Sequence, residues 1–259
     1  ISSMPAMAAF LTIGPAGPWT RPTHRDSVPE RLPRQCPKSA CRDSVPEPPS
    51  RGTIEAMPTY SPITLDGVAE TVTDRLRSLA GRRVVLIDGA DAARPVDLAA
   101  RVSERLRTEG RAADVVDLGG WVRPASLRLE YGHTDEMSYR TAWFDYDGLA
   151  REVVGALRDR GRWLPAIWDA QSDRSARLRV VDAGPDQVLI VAGPMLLGRG
   201  LHADLTVALT LSPAALRRLT PEDDHWTVDA LMTHADRHDD TPDVEVKVDH
   251  PDRPALRES

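Results

Sequence analysis

Two unbroken apolar runs, Val84-Val85-Leu86-Ile87 and Val188-Leu189-Ile190-Val191, constrain this chain more than any other feature. A strand with one wet face alternates polar and apolar residues, whereas a strand covered on both faces does not. Each run therefore predicts a strand buried between two layers, and Leu205 to Leu211 predicts another. Leu65, Val68, Val72, Leu76 and Leu79 recur at helical spacing, which predicts a helix from about Ile63 to Ala80, ended by Gly81. Leu98, Val102 and Leu106 give a second helix an apolar face, with Pro95 in its first turn and Gly110 after its end. Leu149, Val153 and Leu157 mark a third, closed by Gly161. Val115-Val116 marks a further strand, and Ser212-Pro213 is a good cap and first-turn pair for a helix. Val244, Val246 and Val248 alternate as an edge strand would. Strands separated by helices predict an α/β fold of three layers, a parallel sheet with helices on both faces.

The first 56 residues follow another rule. Ten of the 22 prolines lie there, and Arg25-Asp26-Ser27-Val28-Pro29-Glu30 recurs as Arg42-Asp43-Ser44-Val45-Pro46-Glu47. No helical or strand period survives so many prolines, so residues 1–56 are expected to be a disordered extension rich in proline and arginine. The folded domain is expected to span 57–259, with the natural start at Met57.

Several classes of function are excluded early. No apolar run reaches about 18 residues, so no membrane-spanning helix is expected. The net charge of −6 argues against a bulk-charge nucleic-acid binder. Cys36 and Cys41 are the only cysteines, too few for a disulfide framework or a four-cysteine zinc site, and a reducing cytoplasmic setting fits them best. Only Lys38 and Lys247 are lysines, so any mechanism needing a lysine in the middle of the chain is ruled out.

In a parallel sheet of this kind, ligands bind at the carboxyl ends of the strands. The first strand leads into Asp88-Gly89-Ala90-Asp91-Ala92-Ala93-Arg94-Pro95-Val96. Against the phosphate-binding pattern G-x-x-x-x-G-K-[ST], Gly89 takes the first glycine. Arg94 stands at the second glycine, Pro95 at the lysine and Val96 at the magnesium-binding hydroxyl. Proline has no N–H for a phosphate, and valine has no oxygen for magnesium. Asp91 adds negative charge where a polyphosphate would lie, and only Arg94 offers a positive charge in return. Taken by itself the segment reads as an ordinary strand–turn–helix.

The segment from about Tyr60 to Leu256 resembles the uridine kinase-like branch of the P-loop nucleoside kinases, most of all its divergent actinobacterial members. The resemblance rests on the order of several pieces. Val84 to Asp97 stands for the phosphate-binding strand, loop and helix. Trp121-Val122-Arg123-Pro124 and Arg128-Leu129-Glu130-Tyr131-Gly132 resemble the segment on the nucleoside side. Trp143 to Leu149 resembles the aspartate-rich entry to the next helix, and Pro165-Ala166-Ile167-Trp168-Asp169 with Arg174 a Pro-x-Tyr-Asp segment and its arginine. Val188 to Leu197 resembles the strand ending in Glu-Gly, and Arg217-Arg218 the arginine pair of the lid.

The resemblance implies a P-loop kinase-like sheet, Mg-ATP as cofactor if the chain is active, and a nucleoside or other small anionic ligand as partner. It implies a nucleotide side made by Asp88, Gly89, Asp91, Arg94, Arg217 and Arg218. The nucleoside side would comprise Trp121, Arg123, Arg128, Tyr131, Asp169 and Arg174, with Tyr139 and Trp168 as further stacking faces. The departures matter as much. The family's aspartate base falls on Gly119 and its acidic strand-end residue on Ala192, so base, strand-end acid and loop lysine are lost together. Losing one such group commonly costs ~10²–10³ in rate. The leading expectation is a kinase-like protein that binds a nucleoside or nucleotide with impaired phosphoryl transfer. An active divergent kinase would need Arg94 for the lysine and Asp117 as a displaced base. A third reading is an interaction scaffold without ligand. His234 and His238, four apart, fall short of a zinc motif because Ala235 stands where the glutamate base belongs, and no metal site is expected.

Overall fold

The computed structural model describes residues 59–250 and 252–257. Contacts divide the chain into Ile1–Ile54 and Glu55–Ser259, and the fold below is that of the second unit. The expectation of disorder over 1–56 lies outside the described residues.

The elements run in the order β1 (Tyr60–Pro62), α1 (Leu65–Arg77), β2 (Arg83–Asp88), α2 (Pro95–Thr108), β3 (Ala113–Asp117), α3 (Ala125–Arg128), α4 (Glu136–Ala142) and α5 (Tyr146–Leu149). A π-helical stretch, Ala150–Gly155, joins α5 to α6 (Ala156–Arg160). Four two-residue strands follow, β4 (Arg162–Trp163), β5 (Trp168–Asp169), β6 (Arg174–Ser175) and β7 (Val181–Asp182). The chain ends with β8 (Val188–Gly193), β9 (Leu205–Thr210), α7 (Pro213–Leu219), α8 (Trp226–Ala235), β10 (Val244–Lys247) and β11 (Ala255–Arg257).

Seven strands form the main sheet in the order β1-β11-β10-β9-β2-β8-β3. The five from β10 to β3 are parallel, and β11 and β1 add antiparallel at one side. Alternation along β2 sorts the core. Val85 and Ile87 face the layer of α1 and α2, with Val72, Leu76, Leu98 and Val102. Val84 and Leu86 face the other layer, with Trp121, Leu149, Val153 and Leu157. Both faces of β8 are sealed as well: Val188 to Val191 are all 0% exposed. Each such aliphatic side chain contributes roughly 1.5–3 kcal/mol by leaving water.

The caps match the sequence signals. Thr64 accepts from the Gly67 N–H ahead of α1, and Ser212 accepts from the Ala215 N–H with Pro213 in the first turn of α7. Gly161, at φ 62°, ends α6 in the left-handed conformation that glycine adopts without strain. One expectation is corrected. Val244 to Val248 is not an edge: β10 pairs with β9 on one side and β11 on the other. The strands that cover it, three residues each, are too short to show a period.

Among the described residues no helix is long and apolar enough to cross a membrane. The chain leaves β2 for β3 on one side, and later passes from β8 to β9 on the other. The carboxyl end of β2 is therefore a point where connections diverge, the usual place for a crevice in such sheets.

Candidate functional site

Gly89 follows β2 directly, and its N–H donates to the Gly193 carbonyl at 3.2 Å. A β-carbon here would lie 3.0 Å from Leu209 Cβ and 3.1 Å from the Leu209 carbonyl, so the glycine is required by the close passage of β9. The chain then makes a tight turn. The Ala93 N–H donates to the Ala90 carbonyl at 2.8 Å, and the Arg94 N–H to the Asp91 carbonyl at 2.9 Å. Arg94 is left-handed, at φ 58° and ψ 51°, and Pro95 opens α2. A phosphate cradle needs several backbone N–H groups aimed into one hollow. Here those of Gly89, Ala93 and Arg94 already hold carbonyls, and Pro95 has none.

The loop after β8 has the opposite character. Met195 is left-handed, at φ 57°, and the N–H groups of Leu197, Leu196 and Met195 turn toward the Asp88 carboxylate. The Leu197 N–H reaches Asp88 Oδ2 at 3.1 Å. The protein's own carboxylate thus occupies a backbone anion nest. Burial pushes the Asp88 carboxyl above its ordinary range, against these three hydrogen bonds and the nearby His238.

Beside Asp88 and Gly89 lies a cavity of about 350 Å3, walled by the ends of β2 and β9, the loop after β8, and α7 and α8. Leu209, Leu211, Leu216, Leu231 and Met232 make it apolar. Its polar groups are Asp88, Asp240, Glu245, Thr210, His234 and His238, and no lysine or arginine lines it among the described residues. The His234 ring donates through its Nε2–H to the Leu197 carbonyl at 2.8 Å. Burial, offset by that bond, pushes its pKa down to about 4, helped by Arg199, His238 and Arg140. The two histidine rings lie 5.2 Å apart, and Nδ1 of His238 is buried with no hydrogen-bond partner among the described residues. Among the described residues no three histidines, cysteines or carboxylates form a metal-holding group.

This donor set does not fit a polyphosphate. Three of the loop amides are engaged and Pro95 has none, the lining charges are negative, and the Asp88 carboxylate is held by backbone rather than presented to a cation. No reaction step through Mg-ATP follows from such an arrangement.

The residues singled out in the sequence are spread over the unit. Arg94 forms an ion pair with Asp97 and its side chain is 64% exposed. Arg217 pairs with Asp229 at 3.3 Å, and Arg218 donates to the Asp249 carbonyl at 2.7 Å, both exposed. Asp117 caps its own turn, Oδ1 accepting from the Gly119 N–H at 2.8 Å. Trp121 is 0% exposed in the core, with its indole N–H donating to the Pro165 carbonyl at 3.3 Å. Arg123 receives and serves backbone: its N–H donates to Trp143, and its carbonyl accepts from Arg128 Nε at 2.6 Å. Arg128 is buried and lies 5.0 Å from the Trp143 ring centroid. Tyr131 is 75% exposed. Asp169 folds onto its own hairpin, accepting from Gln171 and Ser172, and Arg174 is exposed on the paired strand β6. Of these only Asp88 and Gly89 line the large cavity, joined there by His234 and His238, the pair weighed in the sequence as a zinc motif. Glu245, another of its polar groups, carried no sequence signal, because it sits outside any motif and reaches the cavity through sheet order alone.

No protein-family model matches the chain, and no curated protein matches it. Solved structures do. One is described as a possible uridine kinase from Bacillus stearothermophilus, 18% identical over 66% of this chain and 95% of that one, at a TM-score of 0.52. A protein of a Silicibacter species, provisionally described as a fructose transport system kinase, is 21% identical over 71% of this chain and 98% of that one, at 0.56. The YGR205w protein is 10% identical over 76% of this chain and all of that one, at 0.52. The chain therefore has a three-layer α/β fold of the P-loop kinase type, a likeness of fold at these identities.

Proposed function

We propose that this protein is a nucleoside kinase-like binder that does not transfer phosphate. Its ligand is an uncharged nucleoside-sized molecule held in the cavity at the carboxyl ends of β2 and β9. One observation carries the reading: the turn after β2 holds three of its amides on backbone carbonyls and has a proline at the motif's lysine, beside a cavity that carboxylates line and, among the described residues, no lysine or arginine does. A transferring site stabilises the charge of the moving phosphoryl group with amides, cations and metal. Here three of the amides hold carbonyls, Pro95 stands at the lysine, and the charges lining the cavity are negative.

The cavity lies at the low end of the ~300–1,000 Å3 range of small-molecule sites and has their usual make-up, apolar walls with a few convergent polar groups. A nucleoside supplies what those groups lack. Its sugar hydroxyls are donors for Asp88, Asp240 and Glu245, and its base edge offers a partner to the unpaired Nδ1 of His238. The flat base suits a wall of leucine and methionine. Recognition of this kind needs no lysine.

The test is calorimetric titration of the whole chain with uridine, cytidine and Mg-ATP separately, beside a turnover assay with nucleoside and Mg-ATP together. Saturable binding of a nucleoside, no saturable binding of Mg-ATP and no product are expected. Steady phosphorylation of uridine or cytidine would overturn the reading. Failure of both nucleosides to bind would leave the fold as a scaffold for partners.

A further inference from the structure

Across the wall formed by Ala90, Asp91 and Ala92 lies a second hollow, of about 210 Å3, separate in its lining from the nucleoside-sized cavity except at Ala90 and Leu231. Three aromatic rings line it: Tyr139 on α4, Trp143 directly after that helix, and Trp226 at the start of α8. They make a corner. Tyr139 and Trp143 are 5.4 Å apart at 69°, Tyr139 and Trp226 5.3 Å at 73°, and Trp143 and Trp226 5.4 Å at 51°. No pair is stacked flat, and both tryptophans are only partly buried, so ring surface is left uncovered. Asp91 and Asp224 stand at the mouth, both exposed, and neither has an ion-pair partner among the described residues.

Two further observations point to a ligand. Tyr139 is 7% exposed and lines the hollow, and its hydroxyl, open to the hollow, has no hydrogen-bond partner among the described residues. Burial, then the charge of Asp91, the neighbouring Tyr146 and the charge of Asp224 all hold its proton on. Asp91 is likewise pushed above its ordinary range, by its low-polarity surroundings first and then by Asp117 and Asp224. The hollow therefore sits in a negative potential that no side chain neutralises: among the described residues no lysine or arginine lines it. Trp143 already attracts one cation, the Arg128 guanidinium, which is anchored to the Arg123 carbonyl and does not line the hollow.

We propose that this hollow binds an organic ammonium ion carrying methyl groups on its nitrogen. Ring faces attract a cation through their quadrupole, and most strongly when the rings are tryptophan and tyrosine. Against three ring faces an ammonium rich in N–H would leave most of its water bonds unreplaced, while a methylated one has few to lose. The two aspartates act at the mouth, where they draw the cation in. An inorganic cation has no site here, since among the described residues no acidic or histidine cluster forms a coordination shell. The assignment is independent of the nucleoside reading, because the two ligands occupy different cavities.

The experiment is a titration of the whole chain, followed by tryptophan fluorescence and by calorimetry, with choline and with its uncharged isostere 3,3-dimethylbutan-1-ol. Choline should saturate and bind at least roughly tenfold more tightly than the alcohol. Trp226→Leu should weaken choline by about tenfold, and Asp224→Asn by severalfold with a shallower salt dependence. Because Trp226 also packs against the core, the exposed Asp224 position is the variant that leaves the fold undisturbed. Equal affinity for choline and the alcohol, no saturation by choline, or an Asp224→Asn variant that binds like the wild type would each overturn the proposal. Uridine at saturation should leave the choline curve in place. If uridine displaces choline, the two share one site and the assignment fails, whereas a protein that ignores uridine but binds choline overturns only the nucleoside reading.

Discussion

Asp204 lies just ahead of β9 and ties three segments together. Its Oδ2 accepts from the Val84 N–H at 2.9 Å and from Arg158 at 2.8 Å, and its Oδ1 from Arg83 at 2.8 Å. The side chain is 15% exposed and each arginine 33%. Replacing it with alanine leaves the N–H of fully buried Val84 without a partner, at about 1–3 kcal/mol. Each half-exposed ion pair adds about 0.5–1 kcal/mol. The total is about 2–5 kcal/mol, which in a fold of this size lowers the melting temperature by roughly 6–15 °C. Asp204→Asn keeps an acceptor for Val84 and should lose about half as much. Burial by itself would raise the Asp204 pKa, but the Val84 N–H, Arg158 and Arg83 outweigh it and hold the carboxyl low. For a carboxyl held low in the folded state, the stabilisation is present above the unfolded value and is lost as pH falls through the folded one. The gap between wild type and Asp204→Asn, read by circular dichroism on heating, should therefore be full at about pH 7 and narrow only as pH falls below the ordinary carboxylate range. A melting temperature for Asp204→Ala within about 2 °C of wild type at neutral pH, or a gap that widens in acid, would refute this account.

Further outcomes follow from three other sites. His234 stays neutral in the fold down to about pH 4, below its ordinary value, so its contribution is present above about pH 6.5 and is lost as pH falls through about 4. Urea midpoints should drop across that window by the equivalent of up to ~3 kcal/mol, and His234→Gln should flatten the drop. Gly89→Ala should destabilise by about 1–3 kcal/mol in the same assay, because the new methyl group meets the Leu209 carbonyl, which β9 cannot easily move. Arg94→Ala should shift stability by no more than about 0.5 kcal/mol, since its ion pair with Asp97 is exposed. Arg94→Gly should be more stable than Arg94→Ala by about 1 kcal/mol, because only the left-handed backbone distinguishes them.

The sheet was readable where burial leaves a pattern. Val84 to Ile87 and Val188 to Val191 gave themselves away because strands covered on both faces have no polar alternation. Pro95, Gly161 and Ser212 marked helix ends because each answers a local backbone demand. What could not be read depends on distant neighbours. The two-residue strands β4 to β7 have no period, and β10 became interior only because β11 and β1 fold back over it. Gly89 matched a phosphate motif in sequence, while its role in the fold is set by Leu209, far along the chain. The tryptophans show the same limit. Nothing next to Trp121 says that it is sealed in the core, and nothing next to Trp226 says that it borders a hollow with Tyr139 and Asp91. The arginines were legible as charges, but their partners, Asp97, Asp229 and the Asp249 carbonyl, keep them apart.

The pairing of β1 with β11 has a mechanical consequence. Tyr60 lies opposite Arg257, so the first and last strands among the described residues run antiparallel, the start of one beside the end of the other. Tension applied through the two ends loads that ladder one rung at a time, as a zipper is opened, instead of shearing all its bonds at once. The outer pair would part at low force. The parallel strands from β10 to β3, which carry the cavity, would then bear load only after the two ends of the unit had separated.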